Sequence, residues 1–282
     1  MDPNHLRDAG RVVTMPEGHG IWVLRGGSAP SGDAVTDVFL HGLGGSSLPY
    51  RACAEAAEAA GAPTLCIDLR GHGFSERPDG DASIDDYTAD VLRVLESEGV
   101  TRANLVGHCL GGIVAMRIAE IAPEMVGALV LVGTSHRFGL GFRGIRRRYG
   151  ARASDASLKI AAPHFRSART PGQADVSHFP SHADLYLPRL RQDWAHTSLQ
   201  VVLATVGAMC DADLTRALEG THARTCVIHA RRDTFIDRSE AAEMARLSRA
   251  ERFEVMPDDG HASLVLRADS PLPGLVCEFL HG

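Results

Sequence analysis

Lysine is nearly missing from this chain: Lys159 is the only one in 282 residues, and arginine carries the rest of the positive charge. Such a bias is the mark of a GC-rich coding sequence and bears on no activity. No run of apolar residues approaches eighteen, so no segment is suited to span a membrane as a helix. The N-terminal stretch "MDPNHLRDAGR" lacks the apolar core of a signal peptide, and the expectation is a cytoplasmic protein. The six cysteines, at 53, 66, 109, 210, 226 and 277, include no C-x-x-C pair. That excludes the usual structural-zinc pattern and argues against a disulfide framework, leaving reduced thiols that belong mostly to the core. Internal repeats and low-complexity tracts are missing too. What is present is ordinary for a folded enzyme: 44% hydrophobic and 23% charged residues, enough to bury the core of one large domain or of one domain with an insertion.

Charge is unevenly placed. Residues 137–191 hold ten arginines and Lys159 against Asp155, Asp175 and Asp184, a local balance of +8 in a chain whose total is −6. Such a segment reads either as a docking face for an anion or as a solvated arginine-rich surface. The acidic remainder argues against nucleic acid as a partner.

Short apolar strands alternate with helical patterns over the first 135 residues. "RVVTM" (11–15) and "GIWVLRG" (20–26) read as paired strands. "AVTDVFLHG" (34–42), "PTLCIDLRG" (63–71), "ANLVGH" (103–108) and "GALVLVGTS" (127–135) are apolar on both faces, as buried parallel strands are. Between them "PYRACAEAAEAAG" and "SIDDYTADVLRVLESEG" read as helices, the second opened by a capping-box variant of Ser83 and Asp86. Residues 137–210 then show no convincing strand, four prolines and several helical pieces, of which "LRQDWAHTSLQVVLATVGAM" is the longest. Strands resume at "RTCVIHA" (224–230) and "RFEVMPD" (252–258) before a closing helix, "LPGLVCEFLHG". The expected organisation is a parallel α/β core of residues 1–136 and 206–282, with a helical cap of 137–205 inserted after the sixth strand.

Gly107-His108-Cys109-Leu110-Gly111 has the form G-x-nucleophile-x-G between a strand and a helix. A sharp turn there lifts the central side chain above the sheet, and the flanking glycines let neighbouring backbone pass close by. A nucleophile needs a base, and the base needs an orienting acid. Asp233 falls just past the seventh strand, and His261, in "PDDGHASL", just past the eighth. The order Cys109, Asp233, His261 is the chain order of nucleophile, acid and histidine in an architecture of this kind. Asp237 is a weaker choice of acid, and Asp258 and Asp259 read as turn formers before Gly260. "HGLGGSS" (41–47) follows a strand and can bring the Leu43 N–H beside the Leu110 N–H as a pair of oxyanion donors. It lacks the G-K-[ST] ending of a phosphate loop and the G-x-G-x-x-G of a dinucleotide loop, so no cofactor is expected. His178 and His182 are spaced i,i+4, but Pro180 between them breaks the helix a metal pair needs, and no metal site is expected either.

"HGLGG", "DLRGHGFSERP" (68–78), "GHCLGG", Asp233 and "GHASL" together resemble the capped members of the α/β-hydrolase superfamily, in order and spacing, over nearly the whole chain. The resemblance implies an α/β-hydrolase fold: an eight-stranded, mostly parallel sheet flanked by helices, with a helical cap closing over the active site. The departure is Cys109, where most members carry serine. A minority use cysteine, among them dienelactone hydrolases and, with a similar "CLGG" run, polyhydroxyalkanoate synthases.

A cysteine thiol beside an imidazole can attack as a preformed thiolate, and its acyl-enzyme is a thioester that reacts readily with amines, thiols and alcohols. Cleavage of an ester, lactone or thioester is the leading expectation. Acyl transfer from a coenzyme A or carrier-protein thioester to an acceptor other than water is the alternative, and the basic insertion fits such anionic donors. A lyase that expels a carboxylate, and a ligand-binding protein on a hydrolase scaffold, are the remaining readings. His41 and His108, with Trp194, Arg146 and Arg147 from the insertion, are the candidate substrate contacts. Phe138, Phe142 and Phe165 serve equally as pocket lining or as core of the cap.

Overall fold

The computed structural model describes residues 7–27, 34–77, 82–138, 172 and 196–282. Eight strands form one sheet: β1 (Arg11–Thr14), β2 (Gly20–Gly26), β3 (Thr36–Leu40), β4 (Thr64–Ile67), β5 (Ala103–His108), β6 (Val126–Val132), β7 (Arg224–Ala230) and β8 (Arg252–Met256). Their spatial order is β1-β2-β4-β3-β5-β6-β7-β8. The β1–β2 and β2–β4 pairings are antiparallel, and all the others are parallel. The eight helices given labels here are α1 (Arg51–Ala59), α2 (Ile84–Ser97), α3 (Leu110–Ile121), α4 (Leu199–Asp211), α5 (Thr215–Gly220), α6 (Arg238–Leu247), α7 (Ser263–Leu266) and α8 (Leu272–His281). Each expected strand is found, and the mostly parallel, helix-flanked sheet is the α/β-hydrolase fold.

Two apolar layers explain why the strands read as continuous hydrophobic runs. Val38, Leu40, Leu105, Leu129 and Leu131 face a core shared with α2, α3, α5 and α6. Phe39, Val106, Ala128, Val130 and Val132 face the other, shared with α1 and α8. Successive side chains on a strand point to opposite faces, so a sheet covered on both sides needs an apolar residue at every position. Each fully buried aliphatic or aromatic side chain stabilises the fold by about 1.5–3 kcal/mol.

The expected capping box holds α2 in place: Ser83 Oγ accepts the Asp86 N–H at 3.1 Å, and Asp86 Oδ2 accepts the Ser83 N–H at 2.8 Å. The cap expected at 137–205 falls almost wholly outside the described residues, as do Trp194, Arg146, Arg147, Phe142, Phe165, His178 and His182. Helix α4 runs from Leu199 to Asp211 and so passes through residue 205, the expected end of that insertion. Among the described residues no helix is long and apolar enough to cross a membrane.

Candidate active site

All the chemistry-bearing loops lie at the C-terminal ends of neighbouring parallel strands. Cys109 directly follows β5, Leu43 follows β3, Asp233 follows β7 and His261 follows β8. In open α/β sheets this is the end where ligands bind, because the loops there converge from several strands.

Cys109 is the residue between β5 and α3, and its backbone is strained, with φ 49° and ψ −111°. A non-glycine residue in such a region costs about 1–3 kcal/mol and persists only where its surroundings hold it. They do so here. The Cys109 N–H donates to Val132 O at 3.1 Å, and its carbonyl accepts from Thr134 Oγ1 at 2.7 Å. A Cβ on Gly107 would stand 2.4 Å from Gly111 O, and one on Gly111 2.1 Å from Leu40 O. Both glycines are therefore demanded by backbone passing at contact distance. Cys109 is 6% exposed and sits at the N-terminal end of α3.

His261 stands beside Cys109, whose charge acts on it, and is hydrogen-bonded to Asp233, Nδ1 to Oδ2 at 2.8 Å. The Asp233 carboxylate is fully buried, and its Oδ1 accepts the N–H groups of Phe235 and Ile236 at 2.8 and 2.9 Å. Burial alone would raise the Asp233 pKa, but the bond and charge of His261 and those two N–H groups hold it below the usual carboxylate value. Burial likewise works to lower the pKa of His261. The charge of Cys109 and the bonds to Asp233 and Cys109 outweigh it and raise the pKa to about 10. A protonated His261 therefore depends on its two neighbours.

A pH prediction follows. The free value is 6.5 and the folded value about 10, so the stability His261 contributes is fully present below about pH 6.5 and lost as pH rises through 10. In a histidine-detected NMR titration, His261 should stay protonated past pH 8 and titrate at markedly lower pH in Cys109→Ala. A step near pH 6.5 in both proteins would contradict the pairing.

The loop of Leu43 is tied to this centre. The Gly111 N–H donates to His41 O at 3.1 Å. A Cβ on Gly42 would lie 3.2 Å from the Cys109 Cβ and 2.6 Å from His108 Nδ1. Leu43 is half-buried and Leu110 fully buried, and the two sit on the loops that meet there. His41 shapes the same loop, since its Nε2 accepts the Leu69 N–H at 2.9 Å and its Nδ1 donates to Gly42 O at 2.8 Å. His108 packs on the His261 ring at a centroid separation of 4.8 Å, and its Nε2 donates to the His261 carbonyl at 3.2 Å. Burial first, and then the charge of His261, lower the His108 pKa to about 3. It remains neutral beside its charged neighbour.

Two anchors lay beyond sequence reasoning. Asp68, in "DLRGHGFSERP", is completely buried, with Oδ1 accepting the Ser47 N–H at 2.7 Å and Oδ2 the Phe74 N–H at 2.9 Å. It thereby fixes the far end of the Leu43 loop. A buried acceptor serving two backbone N–H groups contributes about 1.5–3 kcal/mol per charge-assisted bond. Asp68→Ala should thus lower the unfolding free energy by about 3 kcal/mol or more in urea, and a loss under about 1 kcal/mol would exclude the anchoring role. Asp259 is the second. The sequence makes it a turn former. In the structure it is 1% exposed, accepts from Ser263 Oγ at 3.1 Å and lies 3.4 Å from Arg267 Nε. Ser263 Oγ also accepts the Gly260 N–H at 2.8 Å, so this group of residues brackets His261. Only the fold could place Asp259, because a D-D-G run reads as a turn wherever it occurs. Asp237 caps α6 by accepting the Ser239 N–H at 2.7 Å.

A family profile described as alpha/beta hydrolase fold matches residues 38–268, and the chain belongs to that family. Relatives include a candidate carbamate hydrolase, RutD of Variovorax paradoxus, 28% identical over 84% of this chain and 88% of its own. The mouse sn-1-specific diacylglycerol lipase ABHD11 is 28% identical over 79% of this chain and 74% of its own. Among solved structures, the enol-lactonase of Burkholderia xenovorans superposes with a TM-score of 0.72 at 21% identity, over 96% of this chain and all of that one. A hydrolase of Pseudomonas aeruginosa gives 0.74 at 24% identity, over 97% and 98%.

Proposed function

We propose that the protein hydrolyses a small-molecule ester, lactone or thioester through a Cys109–His261–Asp233 triad and a covalent acyl-enzyme. The observation that carries this reading is the arrangement around His261, which stands beside the strained Cys109 and bonds the buried Asp233. Relatives named for ester, lactone and carbamate cleavage are consistent with it.

In this scheme His261 takes the Cys109 thiol proton, forming a thiolate–imidazolium pair. The sulfur attacks the substrate carbonyl carbon, and the electron pair moves to the carbonyl oxygen, which this reading assigns to the Leu43 and Leu110 N–H groups. As the tetrahedral adduct collapses, the leaving alkoxide or thiolate takes the His261 Nε2 proton. What remains is a thioester on Cys109 and a neutral His261. A water molecule gives its proton to that imidazole and attacks the thioester. Collapse releases the carboxylic acid and restores the ion pair. Asp233 holds Nδ1–H throughout and keeps Nε2 facing the sulfur. His41 and His108 act in this scheme as supports, His41 for the oxyanion loop and His108 for the His261 backbone.

Intact-protein mass spectrometry after incubation with activated esters, lactones and acyl-coenzyme A thioesters tests the proposal. A mass gain equal to the acyl group on the wild type, missing from Cys109→Ala, is the expected result. Product formed with no adduct under rapid quench would favour elimination. Consumption of thioester that depends on an added amine or alcohol would make the enzyme an acyltransferase.

A further inference from the structure

The sheet ends in two edge strands, β1 and β8, each paired on one side only among the described residues. An edge strand keeps a row of backbone N–H and C=O groups free for another strand, so its side chains decide what can dock there. β1, Arg11–Thr14, exposes Val12 and carries a single charge, Arg11, which pairs with the buried Glu98. β8, Arg252–Met256, carries both signs two residues apart. Arg252 Nε donates to Glu254 Oε1 at 2.8 Å, so the two side chains share one face of the sheet, where Arg252 Nη1 also reaches Glu278 of α8 at 3.1 Å. Phe253, between them in the chain, points to the opposite face. It is 37% exposed, one of three large apolar side chains that the described residues leave exposed.

A strand of this kind can pair with its own copy. Two antiparallel β8 strands related by a two-fold axis form an isologous contact, in which position i meets j and j meets i. Directly opposite residues of an antiparallel pair either both turn their N–H and C=O toward each other or both turn them away, so opposite positions are both odd or both even. Three registers are then centred on the charged segment. Centring on Arg252 sets that arginine against itself, and centring on Glu254 sets that glutamate against itself, each a like-charge contact at about 5 Å. Centring on Phe253 sets Arg252 of each copy against the partner's Glu254, on the face they already share, and Phe253 against its own copy on the face behind. Two arginines and two glutamates then alternate in sign around a closed ring. Opposite charges directly across a strand pair are favourable and like charges unfavourable, so the charges of β8 select one register and penalise its neighbours.

We propose that β8 is a self-docking edge, and that the protein forms a two-fold symmetric dimer whose two sheets join antiparallel through β8 in the register centred on Phe253. Such a joint turns the two sheets end for end, so the Cys109 sites, at the C-terminal ends of the strands, open in opposite directions. A five-residue edge supplies little area of its own, which places the dimer among weak, concentration-dependent assemblies. The dimer is independent of the chemistry at Cys109.

Sedimentation-velocity ultracentrifugation of the full chain from low micromolar to sub-millimolar concentration, with hydrogen–deuterium exchange at the two extremes, tests this. Wild type should shift from monomer to dimer across the range, and exchange over 252–256 should slow with the same concentration dependence. Arg252→Glu sets glutamate against glutamate twice in the joint and should raise the dimer dissociation constant about ten-fold or more. Combining Arg252→Glu with Glu254→Arg restores opposite charges in that register and should recover most of the loss, with circular dichroism checking that each variant is folded. A monomer at every concentration would overturn the proposal. So would a dimer that leaves β8 exchange unchanged, or one that Arg252→Glu does not weaken, since its contact must then lie on another face. A folded double variant no stronger than the single one would overturn the register centred on Phe253. If a variant does not fold, the wild-type exchange decides.

Discussion

Cys109→Ala is expected to lower kcat/KM for any ester or thioester substrate by about 10⁵-fold, with the fold intact. Loss of a triad nucleophile removes the covalent route and leaves only oxyanion stabilisation and binding, which account for a small residue of the rate. The substitution should cost little stability, because the side chain is small and alanine removes only the sulfur from a residue held mainly by its backbone bonds to Val132 and Thr134. Steady-state kinetics with near-ultraviolet circular dichroism as a fold check would decide it. Residual activity within ten-fold of wild type would mean that the sulfur does not attack. Cys109→Ser separates two further cases. If the hydroxyl variant is nearly inactive, the site is tuned to a preformed ion pair, since His261 owes its raised pKa in large part to the charge of Cys109. If it stays active on simple esters, His261 can still serve as a base without a charged partner.

Gly111→Ala should produce the largest loss of stability among single-carbon additions to this centre. The new Cβ would lie 2.1 Å from Leu40 O and 2.8 Å from His41 O, both backbone atoms with nowhere to rotate. Either α3 moves off β3 or the Leu43 loop is displaced, and overpacking that requires backbone shifts costs about 3 kcal/mol or more. In a protein of this size that lowers the melting temperature by about 6–12 °C. A contrasting control sits in α4. A Cβ on Gly207 meets nothing within 4 Å, and the residue lies inside Leu199–Asp211. Gly207→Ala should therefore stabilise by about 0.5–1 kcal/mol through helix propensity alone. Scanning calorimetry on the two variants gives opposite signs if packing governs the outcome. Equal shifts would show that the approach of α3 to β3 is softer than these distances require.

All eight strands were legible in the sequence, the inner ones because a sheet covered on both faces writes itself as uninterrupted apolar runs such as "VFL" and "LVLV". The strand–turn–helix around Cys109 was legible for a similar reason: two glycines two residues either side of a cysteine, between a strand pattern and a helix pattern, leave few alternatives. Spacing after β7 and β8 was enough to single out Asp233 and His261. Spacing ranked Asp237 below Asp233 but could not say that a 2.8 Å bond joins Asp233 to His261, nor that Asp237 caps a helix. His41 and His108 were visible as neighbours of the centre, but whether their nitrogens face a ligand or the protein's own backbone depends on where Leu69 and the His261 carbonyl come to rest.

The sequence by itself determined the order of elements, the parallel sheet, and which three side chains arrive at one end of it, since all of these follow from local periodicity and from the rule that loops after parallel strands share an end. Tertiary structure alone decided the rest: the burial of Asp68 and Asp259 as anchors, the neutrality of His108 and the charge on His261. The physical reason is one of range. Strand and helix patterns are set by residues a few positions apart. Desolvation, pairing and charge depend on contacts such as Asp68 with Ser47 or His108 with His261, separated by 21 and 153 positions in the chain, which exist only once the sheet has formed.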